Sequence, residues 1–299
     1  MLYVNKHSLS RFSSYTNGTV KDNGHELNLT NGWDYAYADY NFPEIVKNEI
    51  WVTAFIFYRD NTCPRIGIGV KFANGAVHRS SYSDDTFFIP YGNGTGTSSN
   101  NFSFNPGLPA GTYTKIRIHL WVDKSDSKKL WAEFFAGDNR VPIGGTERRW
   151  VTGSSAIEGF TYIRIGGSGK GGYATFIKDI IVSDKEISAG TQIMELPISS
   201  VSGWVANENN SFTATEFDTE GTLIPDAIEL AKLKDYNIQG SVLIGTYLRQ
   251  GDNIKNLHIK TSGQEVDLPL EVGVSTKFQK DLETTSIDSL SSIIISPKG

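Results

Sequence analysis

The chain has 299 residues, with 28 Lys plus Arg against 33 Asp plus Glu and a formal net charge of −5. Mild acidity without a basic block excludes a nucleic-acid binder held by phosphate contacts. A single cysteine, Cys63, excludes a disulfide framework and a multi-thiolate metal site, and no apolar run is long enough for membrane insertion. Aromatic residues make up 12% of the chain, and 30 Gly against 2 Met favour strands and loops over helices. Residues 1–10 (MLYVNKHSLS) lack the apolar segment of a secretory signal, so synthesis in a reducing cytosol is expected, with work elsewhere open after release by lysis.

In chain order, the first patterned stretch is 33–40 (WDYAYADY), where Trp33, Tyr35 and Tyr37 share one face of a strand. Two readings stay open for these rings: filling a core, or stacking on a sugar. Residues 51–58 (WVTAFIFY) are apolar on both faces and read as a central strand. In 65–72, Ile66, Ile68, Val70 and Phe72 alternate onto one face, and Asn74-Gly75 then predicts a tight hairpin turn. Tyr82 and Tyr91 flank an acidic stretch and the Gly-rich stretch 91–101, which reads as a surface loop. With Trp33 they are the candidate ligand-binding residues.

The run 115–122 alternates most strictly. Ile116, Ile118, Leu120 and Val122 take one face, and Arg117, His119 and Trp121 the other. His119 is expected to be a half-exposed strand residue. Runs 130–135, 160–165 and 174–182 complete the series, and 166–172 (GGSGKGG) reads as a second surface loop. A boundary is expected near residues 188–200, where Ser188-Ala-Gly190 follows the last strong strand. Beyond it, apolar runs at 241–248, 256–260, 266–270 and 292–295 predict a smaller β-rich domain over 200–299. Residues 225–234 (PDAIELAKLK) predict its one short helix, with Pro225 at the first helical position; the competing reading is a strand.

The sharpest catalytic pattern is Glu216-Phe-Asp-Thr-Glu220. As an extended strand it would place three carboxylates on one surface, as a glycosidase requires. The pentad resembles the Glu-x-Asp-x-Glu strand of family 16 glycoside hydrolases over five residues only, and Gly221 at its end fits a turn flank equally well. The five histidines show no paired ligand spacing. Asp84, Asp85, Asp123 and Asp126 are either turn acids or loop calcium ligands. Cys63 has no evident histidine partner for nucleophilic chemistry. No catalytic residue, metal or cofactor is therefore expected.

Residues 112–187 resemble a known family. The strand pair at 114–123 and 130–137, and the closing strands at 160–167 and 173–184, are similar to those of concanavalin A-like (laminin-G-like) jelly rolls. The aromatic-x-x-Asp-Ile-x-Val-x-Asp form of the last strand is similar to such domains on bacteriophage tail and virion-surface proteins. The resemblance covers the first 190 residues and implies an N-terminal jelly-roll β-sandwich over 1–190; with the smaller C-terminal β-rich domain read from its own apolar runs, an all-β chain is expected. It implies a non-enzymatic structural protein of a phage or phage-like particle, made in the host cytoplasm and located on the virion. Its partners would be other virion proteins, copies of itself and host surface glycans. The alternative is a carbohydrate-binding lectin-like module, and a glycoside hydrolase is the third reading.

Overall fold

The computed structural model describes residues 2–5, 13–16, 19–22, 27–30, 36–57, 62–75, 77–78, 87–89, 101–103, 111–141, 149–152, 155–169, 174–214, 216, 218–282 and 286–299. They form two compact units, one over residues 3–192 and one over 193–299. Both are built from β-strands.

The first unit carries β1 (Leu2–Asn5), β2 (Ser13–Thr16), β3 (Thr19–Asp22), β4 (Leu27–Thr30), β5 (Ala36–Val46), β6 (Glu49–Phe57), β7 (Thr62–Phe72) and β8 (Val77–His78). It continues with β9 (Phe87–Ile89), β10 (Asn101–Ser103), β11 (Tyr113–Val122), β12 (Lys129–Ala136), β13 (Asn139–Val141), β14 (Arg149–Thr152), β15 (Ile157–Gly169) and β16 (Ala174–Ser183). One sheet runs β13-β12-β11-β6-β16-β4-β3, with β14 on β12 and β1 on β16; the other runs β10-β9-β7-β15-β5-β2, with β8 on β7.

Period-two alternation makes these two sheets a sandwich. Ile50, Val52, Ala54, Ile56, Ile116, Ile118 and Leu120 project from the first sheet; Ile66, Ile68, Val70, Ile163 and Ile165 project from the second. All belong to one buried cluster. Each fully buried large side chain contributes about 1.5–3 kcal/mol over its exposed state. β6 is central, as its two apolar faces predicted, with β11 and β16 on either side.

The Asn74-Gly75 turn joins β7 to β8: Gly75 has φ 82° and its N–H donates to the Phe72 carbonyl at 2.9 Å. In β16 a bulge between Lys178 and Ile181, with Asp179 at φ 51°, adds one residue to the strand. Ile177 is therefore followed inward by Ile180 and Val182.

The expected loop at 166–172 is corrected in its first half. Residues 166–169 continue β15, with Gly166 opposite Arg65 of β7 and Tyr37 of β5. Gly166 and Gly167 pair on both sides and Ser168 and Gly169 with β7, and this pairing outweighs the weak strand preference of glycine.

The second unit holds β17 (Ile198–Ser202), β18 (Val205–Ala206), β19 (Phe212–Thr213), β20 (Gly221–Pro225), β21 (Val242–Leu248), β22 (Asn256–Lys260), β23 (Glu265–Pro269), β24 (Ser275–Asp281) and β25 (Ile294–Lys298). Five strands form a sheet in the order β17-β20-β25-β22-β23, and β18–β19 and β21–β24 pair separately. The predicted helix is present as α1 (Ala227–Lys232). Pro225 ends β20 rather than opening the helix, and Asp226 is the cap. A four-residue α2 (Ile287–Leu290) went unread, because one helical turn leaves too short a pattern to recognise.

Candidate functional site

The outward face of the first sheet gathers chemistry that the chain scatters over a hundred positions. The register of β6, β11 and β12 lays it out in cross-strand rows. Glu49, Trp121 and Trp131 stand opposite one another, with Trp150 of β14 next in register. The adjacent row is Trp51, His119 and Glu133, and the next is Thr53, Arg117 and Phe135, continued by Arg140 of β13. The inward residues of these strands are apolar apart from Thr114 at the start of β11, so strand alternation puts the charged and indole side chains onto this face.

The aromatic rings stack across the strands. The Trp51 and His119 centroids are 4.0 Å apart at 9°, those of His119 and Trp121 are 4.6 Å apart at 24°, and those of Trp121 and Trp131 are 6.0 Å apart at 9°. Trp51 is buried, whereas Trp121 and Trp131 are half-buried and reach solvent. Such rings combine apolar area with a hydrogen-bonding edge.

His119 is the polar centre of the face. Its Nε2 lies 2.8 Å from Glu49 Oε2 and its Nδ1 lies 3.0 Å from Glu133 Oε1. The other oxygen of Glu133 is 3.1 Å from Arg140 Nη2. The Glu133 side chain is 7% exposed and that of Glu49 is 45% exposed, so one carboxylate is structural and the other meets solvent. Trp131 Nε1 donates to Asp123 Oδ2 at 2.6 Å. The Ser125 hydroxyl and backbone N–H donate to Asp123 Oδ1, at 2.6 Å and 2.7 Å. Hydrogen bonds from Ser125, and then from Trp131, hold the Asp123 carboxyl well below the usual carboxylate range. Lys129 Nζ sits 4.3 Å from the Trp131 ring centroid.

The same sheet face is crossed farther along by the segment that follows β16. Arg117 Nη1 donates to the Ile187 carbonyl at 3.0 Å, and Lys115 Nζ donates to the Thr191 carbonyl. Burial, with Arg117 beside it, lowers the Lys115 ammonium below the ordinary lysine value. The end of the face carrying Glu49, Trp121 and Trp131 therefore offers half-exposed indoles between paired charges. Such a surface presents apolar area, acceptors and donors together.

The candidate ligand residues Trp33, Tyr82 and Tyr91 all lie outside the described residues, as do Asp84 and Asp85. The Glu216–Glu220 strand is corrected. Glu216 is in a bend, Asp218 adopts φ 58°, and the strand starts only at Gly221. A left-handed residue breaks period two, so these carboxylates share no strand face. Asp218 instead pairs with Lys298 at 3.0 Å. His119 is more enclosed than the expected half-exposed residue, its side chain only 13% exposed. Among the described residues no three His, Cys, Asp or Glu side chains converge on a metal position, and no helix is long and apolar enough to cross a membrane. Glu49, Trp51, Trp131 and Glu133 were not read as site residues. Their signal was the unusual placement of indoles and acids at outward positions of otherwise apolar strands.

The sequence matches no family model and no curated protein. Solved structures with a similar architecture include alginate lyase Aly36B, at 8% identity and TM-score 0.38, covering 62% of this chain and 97% of that one. A Bacillus subtilis protein of unknown function with a galectin-like fold has 14% identity and TM-score 0.36, covering 61% and 94%. A lectin from Bauhinia forficata in complex with GalNAc has 13% identity and TM-score 0.32, covering 61% and 97%. At these identities no residue role passes from them to this chain. The expectation of a non-enzymatic protein is corrected: the solved structures that resemble this chain include an alginate lyase. None of the three bears on a phage particle.

Proposed function

We propose that the chain is a carbohydrate-binding lectin-like module whose first unit meets sugar on the outward face of β6, β11 and β12. One observation carries the reading: the half-exposed Trp121 and Trp131 rings stand side by side, with the solvent-facing carboxylate of Glu49 at one end of their row. A saccharide presents apolar C–H surface and a hydroxyl rim. Indoles flanked by a carboxylate and an ammonium answer both. The rings are set on strands rather than loops, so little ordering opposes binding. The setting we propose is the outer surface of a phage or phage-like particle, supported by the strand pattern at 173–184. Peptides of this chain in purified particles would test that setting separately.

The binding test is a glycan array on the full chain, followed by calorimetry with the best ligand on Trp121→Ala and Trp131→Ala. Each substitution is expected to weaken binding about tenfold or more, the effect of losing one packed aromatic contact. No glycan bound on the array would overturn the module reading. A glycan bound equally well by both variants would overturn this surface.

A further inference from the structure

We propose that the sugar-binding face is gated by a single proton on His119, with affinity highest on the acid side and falling as pH rises. The inference rests on the glycan-binding reading. It begins with a count of donors. A neutral imidazole has one N–H and one lone pair, and a carboxylate only accepts. Both ring nitrogens of His119 face carboxylate oxygens, at 2.8 Å and 3.0 Å. The two contacts are both hydrogen bonds only while the ring carries two protons. The Trp51 and Trp121 rings stack on the imidazole, with centroids at 4.0 Å and 4.6 Å.

The charged groups around the ring come from three strands. Glu49 on β6 and Glu133 on β12 face its nitrogens, and Arg140 on β13 faces Glu133 from the far side. Arg117, two residues along β11, turns instead to the Ile187 carbonyl and the Phe135 ring. The two carboxylates differ in what they lose. Glu133 is buried, and leaving it without a ring donor is costly. Glu49 is half exposed, and water replaces its bond cheaply. When the ring gives up one proton, the remaining one therefore stays on Nδ1 toward Glu133. The Nε2 lone pair then opposes the Glu49 carboxylate, and Glu49 swings away from its place beside Trp121. The face loses its solvent-side acceptor, and the indole stack loses the cation it rests on. His119 thus acts as a positioning residue for Glu49.

The test pairs a ligand measurement with a ligand-free one. Affinity for the array-selected glycan, measured by calorimetry from about pH 5 to about pH 9, is expected to fall about tenfold. Glu49→Gln, whose carboxamide can donate to a neutral Nε2, is expected to flatten that profile, as is His119→Gln. Nitrogen-15 NMR of the unliganded protein is expected to show both His119 nitrogens protonated in acid and only Nδ1 protonated in base. A flat wild-type profile, or an undiminished slope in both variants, overturns the gate. So does a His119 ring seen neutral across the range, and that result is readable even if no glycan binds at all.

Discussion

Arg164 and Asp39 close a bidentate ion pair between β15 and β5: Nε donates to Oδ1 at 2.5 Å and Nη2 to Oδ2 at 2.6 Å. They are register partners, and their side chains are 13% and 10% exposed. Removing one partner leaves the other charge nearly buried, whereas removing both does not. Asp39→Ala is expected to cost about 3–5 kcal/mol in urea unfolding. Asp39→Leu combined with Arg164→Met is expected to recover most of that loss. A double variant as unstable as the single one would show that the pair adds stability of its own.

Gly69 lies beneath the ring of Tyr162, where an added Cβ would overlap the ring carbons. Tyr162 is 4% exposed, so its ring has little room to retreat. Gly69→Ala is expected to destabilise by about 1–3 kcal/mol. Pairing it with Tyr162→Ala should relieve the overlap, so the two changes together should cost less than their sum.

The Asp226 carboxylate caps α1, accepting from the Ile228 and Glu229 N–H groups at 2.9 Å and 3.0 Å. Asp226→Ala should lower stability by about 1 kcal/mol, and Asp226→Ser by much less. Urea midpoints for the three proteins, at constant slope, measure this directly.

Acid should weaken the tie between Asp123 and the indole of Trp131. The folded carboxyl titrates below its unfolded value, chiefly through the hydrogen bonds of Ser125 and Trp131. The stabilisation is therefore complete above the unfolded carboxylate value, near 4, and is lost as pH falls through the lower folded one. The urea midpoint of the wild type should exceed that of Asp123→Ala at about pH 7, and the gap should narrow in strong acid. A gap that widens in acid would contradict the sign.

Much of the sandwich was legible because burial follows period two. Ile66, Ile68, Val70, Ile116, Ile118 and Leu120 were all assigned to one face and are all buried. Glycines were misread at 166–169 because they carry no side chain to declare a face. The carboxylates at 216–220 were read as a strand option because nothing local announces that Asp218 turns left-handed.

The amino-acid order by itself determined which side of each strand meets the core, since that depends only on neighbours two residues apart. It placed Arg117, His119 and Trp121 together outside the core. Only the tertiary structure decided what they would meet there. Glu49 lies 70 positions from His119 and Glu133 lies 14, and they converge because β6 and β12 both pair with β11 in one register. Pairing of that kind is chosen by packing over the whole sandwich, and a shift of one residue would have turned the indoles and carboxylates of the outward face into the core.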